Sequence, residues 1–200
     1  MFDQCNHSLF QFFAASPNPS GGGVFLAEFV AEQAIWIGPA LLVLIWFAGR
    51  ADDRRAATGA ALAALAALAA AAAISALHGH PRPFMDGSAV NYLRHAPDSS
   101  FPSDHATLLF ALGWALLLDR PPVLSRSWVI AMGLALGMGW SRVYLGAHYP
   151  FDIAGAAILA LGFALAGGAT PLRQLTVRLA HFGEWLCNHV LSPAGLHLRP

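Results

Sequence analysis

Lysine is missing from this chain of 200 residues: its eleven basic residues are all arginine, and eleven acidic residues balance them. A chain of zero net charge offers no basic stripe for nucleic acid, which is therefore not expected as a partner. Charge of either sign is scarce, at 11% of residues against roughly 25% in an average soluble protein. Two cysteines, Cys5 and Cys187, cannot build a disulfide framework. No basic segment precedes the first apolar run, and no small-residue cleavage site follows a short apolar core, so no removable signal peptide is expected.

Apolar sequence fills the space that charge leaves. Hydrophobic residues make up 56% of the chain, and several runs approach or pass the roughly 20 residues that cross a bilayer. They predict spans at about 24–49, 56–77, 103–118, 128–144 and 151–168. The second is nearly all alanine, a composition that lets neighbouring helices approach closely. The third is short, and either stops near Leu118 or runs through Asp119 before Pro121 and Pro122 end it. Both ends of the chain read as amphipathic. Phe2, Leu9, Phe10, Phe12 and Phe13 make a short apolar piece, which residues 17–23 link to the first span. Beyond Pro171, residues Leu172, Leu175, Leu179, Phe182 and Leu186 recur at helical spacing opposite Arg173, Gln174, Arg178 and Glu184. That second helix either lies in the membrane plane or packs on the spans. The expected fold is an all-α integral membrane bundle of about five transmembrane helices with amphipathic terminal helices. It forms a single domain over 1–200, with a motif-bearing core at about 27–168 and an interfacial helix at 171–191.

Arginine sets the expected orientation. Arg50, Arg54 and Arg55 follow the first span, Arg120 and Arg126 the third, and Arg173 and Arg178 the fifth, whereas residues 1–23 carry no basic residue. By the positive-inside rule the N-terminus lies outside and the C-terminus inside. Cys5 and Cys187 then face opposite compartments.

Polar residues cluster where these spans meet the outer surface. HGHPRPF occupies 78–84, FPSDHA 101–106 and SRVYLGAHYPFD 141–152. In the last, Pro150 suits the first turn of a helix. Asp152 can then reach back to His148 and hold its tautomer, as the third member of a nucleophile relay does. Arg82, between two prolines, and Arg142 can each hold a phosphate by paired hydrogen bonds. Ser103 is placed to cap the third span, whose free amides form an anion site. His105 can move a proton near neutral pH. Singly, each residue has a plain structural reading as a cap, a headgroup anchor or a satisfied polar group; jointly they suit attack on a phosphoryl group. Zinc binding by His78, His80, His105, His148 and Asp152 is the competing chemistry. The adjacent arginines would repel a cation and no close ligand pair such as HExxH is present, so no metal and no cofactor are expected. Glu28 and Glu32, four apart inside the first span, either support Arg82 or Arg142 from behind or snorkel at the boundary. The loop 84–101, with Asp86, Arg94, His95 and Asp98, either covers the site or is an ordinary solvated loop.

These three clusters resemble, in order and spacing, the signature motifs of the type 2 phosphatidic acid phosphatase superfamily. PRPF, FPSDH and the HYPFD ending are most similar to its bacitracin-resistance branch of undecaprenyl-diphosphate phosphatases. The resemblance covers about residues 27–168. It implies hydrolysis of a lipid diphosphate through a phosphohistidine, outside a bacterial cytoplasmic membrane. His148 would be the nucleophile, His105 the acid and base, and Asp152 the orienting carboxylate. Arg82, Ser103 and Arg142 would bind phosphate; Glu28, Glu32, His80 and Arg94 are candidates for support or substrate contact. The superfamily lysine expected seven positions before Arg82 falls on Ser75, so that contact is absent or replaced, with His78 or His80 as candidates. Other lipid phosphatases, for phosphatidylglycerophosphate, phosphatidic acid or lipid A, and lipid phosphotransferases share the motifs. A transporter or lipid-binding protein is the non-enzyme alternative, and the oligomeric state is open.

Overall fold

Alanine decides how the helices meet. In the computed structural model, which describes residues 2–16, 19–191 and 198, helix α3 (Ala51–Leu77) buries Ala56, Ala57, Ala60, Ala63, Ala64, Ala67 and Ala71. Steps of three and four place these on one helix face. Helix α6 (Pro150–Gly167) does the same with Ala156, Ala160 and Ala164. Large residues such as Phe25, Phe29, Trp36, Leu65 and Ile158 point outward. That distribution is inverted for water but suits a bilayer, where lipid tails satisfy large side chains and small ones bring backbones together.

Between α3 and α6 the chain forms α4 (Asp104–Asp119) and, after a 3₁₀ turn at Pro122–Leu124, α5 (Ser127–Tyr144). Helix α4 is central: it packs against α3, α5 and α6, while α2 (Gly21–Ala48) lies on α3 and α5. A helix thus forms at each of the five expected positions. Of these, α2, α3 and α6 are by themselves long and apolar enough to cross a membrane. Helix α4 has 16 residues, about 24 Å of rise, and its neighbours enclose it. It runs through Asp119 and ends where Arg120 turns left-handed, at φ 44°. Gly59 of α3 stands level with that end, since a Cβ there would lie 3.4 Å from Asp119 Oδ2.

The terminal helices cover opposite ends. Helix α1 (Phe2–Phe13) caps the end that carries all three motifs: Asn6 Oδ1 accepts from Phe151 N at 3.0 Å, Ala15 N donates to Tyr144 O at 2.9 Å, and Phe10 is buried against Tyr149. The side chain of Phe2 and the linker residues Pro17 and Asn18 lie outside the described residues. Helix α7 (Thr170–Leu191) crosses α3 at the other end, where Arg54 Nε donates to Glu184 Oε1 at 2.6 Å. Among its described side chains Thr176 and Ala180 are buried, and Leu172, Leu175, Leu179, Phe182 and Leu186 stay exposed. A narrow small-residue stripe thus packs on α3, as the packing alternative expected, and the apolar stripe is exposed on the outer face.

Candidate active site

His148 is held from both sides of a short loop. Helix α5 stops at Tyr144, and Gly146, at φ +73°, supplies the left-handed residue that commonly follows a helix end. Ala147 N and His148 N then both donate to Arg142 O, at 2.9 and 3.2 Å. Pro150 opens α6, and Asp152 in its first turn accepts from Tyr149 N at 2.8 Å through Oδ2. The same carboxylate oxygen lies 3.5 Å from His148 Nδ1, but the shorter contact of Nδ1 is Ser100 O at 2.8 Å. A carbonyl only accepts, so Nδ1 carries the hydrogen and Nε2 keeps its lone pair. Burial pushes the His148 pKa below its ordinary value, and the Asp152 contact only partly offsets this. The ring is therefore neutral at pH 7 and Nε2 is its nucleophilic atom.

Arg82 faces that lone pair with Nη1 at 3.1 Å from His148 Nε2. Its other bonds run to Ala147 O (3.0 Å), Ser99 O (3.2 Å) and Asp98 Oδ1, which Nε and Nη2 both reach at 2.8 Å. Together these engage all five guanidinium hydrogens. His80 stands behind Asp152: its Nδ1 meets Ser100 Oγ at 2.7 Å and Asp152 Oδ1 at 3.8 Å. It supports the carboxylate and the loop segment at Ser100.

A cavity of about 280 Å³ opens beside these groups, lined by Ser75, Arg82, His95, Asp98, His105 and His148 among others. Both histidines assigned to chemistry thus share one chamber. Ser103 precedes α4 as its N-cap, yet its hydroxyl caps nothing; the oxygen is fully buried and has no hydrogen-bond partner. Arg142 is buried and does not line the chamber. Its Nη2 donates to Ala31 O at 3.2 Å and its Nη1 meets His95 Nε2 at 2.8 Å, which makes His95 its link to the chamber. Another cavity, of about 320 Å³, lies at the α7 end with Arg55, Asp119 and Arg173 on its wall and no histidine.

Loop 84–101 covers the site. Tyr149 Oη donates to Asp86 Oδ2 at 2.5 Å, and Asn91 pins the His95 backbone by two bonds of 2.9 Å. Burial raises the Asp86 pKa, but hydrogen bonds from Ser88 and Tyr149 together outweigh it and hold the carboxyl below its usual range. Burial and then Asp86 push the Tyr149 hydroxyl up. His95, Asp98 and Ser99, and not Arg94, are the loop residues that line the chamber; Arg94 sits at φ 50° with its side chain exposed. Burial first, then Arg82 and Arg142, lower the His95 pKa to about 4. Glu28 and Glu32 make no ion pair with an arginine among the described residues; Glu32 is exposed and bears on Arg142 only as a charge at longer range. Ala31 is on the buried face of α2, and its carbonyl takes the Arg142 contact instead; Glu32 stands about 100° around the helix from it. Neither histidine expected in place of the missing lysine lines the chamber. His78 is exposed, His80 serves Asp152, and Ser75 itself lines the chamber and donates to Phe101 O at 2.9 Å. Sequence reasoning missed the Ser100 carbonyl and the depth of His95, because neither residue type nor spacing marks them.

Comparison with known proteins identifies the family. YbjG of Escherichia coli (strain K12), whose name assigns undecaprenyl-diphosphatase activity provisionally, is 35% identical over 157 residues, 78% of this chain and 77% of that protein. The undecaprenyl-diphosphatase BcrC of Bacillus subtilis (strain 168) is 31% identical over 156 residues, 76% of this chain and 79% of its own. The crystal structure of Aquifex aeolicus LpxE shares the fold, with a TM-score of 0.62 at 20% identity over 80% of this chain and 92% of that one. Residues 56–174, which hold all three motifs and the chamber they build, match the PAP2 superfamily, and the chain belongs to that superfamily.

Proposed function

We propose that the protein hydrolyses the terminal phosphate of a lipid diphosphate, undecaprenyl diphosphate above all, to the lipid monophosphate and inorganic phosphate. The observation that carries this reading is the His148 ring, with hydrogen on Nδ1 and a lone pair on Nε2 directed toward Arg82 at the chamber wall. In the first step Nε2 attacks the terminal phosphorus. The bond from phosphorus to the bridging oxygen breaks, and the departing monophosphate takes a proton from His105. In the second, His105 removes a proton from water, the oxygen attacks phosphorus, and the P–N bond returns its electrons to Nε2. Asp152, close to Nδ1, stabilises the positive ring formed in between. Arg82 and the α4 amides balance charge on the equatorial oxygens, while buried Arg142 adds its charge from behind His95; losing one such preorganised donor typically costs about a hundredfold to a thousandfold in rate. No step needs a metal ion.

The relatives' names supply the choice of lipid, and the membrane bundle supplies the reason for a lipid at all. A chamber at the end of the bundle takes a headgroup while the tail stays in the bilayer. We place the protein in a bacterial cytoplasmic membrane with the chamber outside, the N-terminus out and the C-terminus in. The test is phosphate release by the purified chain from undecaprenyl diphosphate, phosphatidylglycerophosphate, phosphatidic acid and lipid A, each with chelator. The isoprenyl diphosphate is expected to be hydrolysed fastest, and His148→Ala or His105→Ala to lose roughly a thousandfold or more. Near-normal turnover by either folded variant, or a strict divalent-metal requirement, refutes the mechanism.

A further inference from the structure

The resting site is already full. Arg82 has no free N–H: two carbonyls, His148 Nε2 and Asp98 take all five. The same arrangement blocks the nucleophile, because an Arg82 hydrogen lies on the lone pair that must attack phosphorus. Of the four partners, the carbonyls of Ala147 and Ser99 are backbone, and His148 is fixed by Ser100 and Asp152. Asp98 differs from them. It is a side chain on the covering loop, its carboxylate is 61% exposed where Arg82 is 6%, and one of its oxygens receives two guanidinium hydrogens, as a phosphate oxygen does.

We infer that Asp98 is a resident anion in the phosphate seat of Arg82: it holds the guanidinium against His148 until a substrate phosphate displaces it, and its return ejects the product phosphate. This rests on the phosphatase reading and adds to it a positioning residue on the loop. The displacement follows from charge and count. A phosphate beside Arg82 cannot gain a hydrogen bond unless a partner leaves, and two anions cannot share the fork without repulsion. Of the four partners, Asp98 is the one that is both exposed and free to swing away as a side chain. Once the fork turns to phosphate, Nη1 leaves His148 Nε2 and the lone pair is free for attack. After hydrolysis, Asp98 competes with inorganic phosphate at local concentration, since it is tethered to the same site.

Apparent affinity falls by the fraction of molecules in the competent state. Asp98→Asn, which removes the charge and keeps the size, therefore raises affinity for a headgroup mimic. The experiment is titration calorimetry of the purified full-length chain with methylenediphosphonate, a diphosphate with an unreactive bridge, for wild type, Asp98→Asn, Asp98→Ser and Asp98→Glu. Both neutral variants are expected to bind about tenfold tighter, and Asp98→Glu within about threefold of wild type. In turnover, the neutral variants should show lower KM, stronger inhibition by added inorganic phosphate, and kcat that does not rise. Neutral variants that bind the diphosphonate no tighter than wild type overturn the inference and leave the phosphatase reading standing. A wild type that neither binds it nor releases phosphate from any lipid removes both. A merely structural Asp98 would weaken binding and stability together, with no gain in phosphate inhibition.

Discussion

Arg142 can only donate hydrogen bonds, so the His95 nitrogen 2.8 Å from it must accept. That requires a neutral ring, and the lowered pKa of about 4 meets the requirement at pH 7. The sign of the linkage follows. Between the ordinary value of 6.5 and about 4, the unfolded chain holds a proton on this residue that the folded chain refuses, so stability rises with pH across that window and falls as acid is added. His148, also lowered, pulls the same way. In His95→Gln the amide oxygen still accepts from Arg142 but does not titrate. Its Tm, followed by tryptophan fluorescence from pH 7 to pH 4.5, is expected to fall less steeply than that of wild type. Superimposable slopes would mean that the Arg142–His95 bond does not govern acid sensitivity. The residues at helix ends were legible in the sequence, because Ser103, His105, His148 and Asp152 are placed by the local start of α4 or α6. Arg94 and His95 were not, since which of two neighbours enters the chamber depends on a turn pinned by Asn91.

At the scale of elements, the apolar runs and their proline and glycine boundaries predicted each of α2 to α6 to within five residues, the largest miss being the start of α3. The alanine run likewise announced close helix contact. Hidden from the sequence was the face by which α7 binds: periodicity marks its large apolar residues, and the contact is made by the small ones between them. The energetic consequence is testable on α3, where small means inside and large means outside. Ala67 is fully buried and Leu65 is 63% exposed, two positions away. Ala67→Leu must push α4 or α6 aside, and overpacking of this kind costs about 1–3 kcal/mol. Leu65→Ala removes a side chain that meets only lipid and should leave stability nearly unchanged. Thermal unfolding in one detergent is expected to rank them so, the reverse of what a water-soluble core would give. Equal loss in both would contradict lipid exposure of that face.

For the whole molecule, the sequence predicted sidedness from arginines, but part of that charge has a second duty. Arg54, counted among the inside positives, is 3% exposed and donates to Gly49 O and to Glu184, which ties α7 to the α2–α3 turn. Orientation therefore needs a probe that does not depend on charge, and the chain carries one. Cys5, exposed, lies on α1 beside Asn6, and Asn6 is bonded to Phe151 at the start of α6. Cys187 lies on α7, three residues beyond the Glu184 that binds Arg54 at the opposite end of the bundle. The two thiols thus report the two ends, and Cys5 reports the end that holds the chamber. With Cys5→Ser and Cys187→Ser as single-thiol chains, a membrane-impermeant maleimide applied to intact cells is expected to label the chain that keeps Cys5. The chain that keeps Cys187 should label only after permeabilisation. The opposite pattern would turn the chamber toward the cytoplasm, and with it the side on which a lipid diphosphate must be presented, because α1 cannot cross the membrane without taking Phe151 and the His148 loop along.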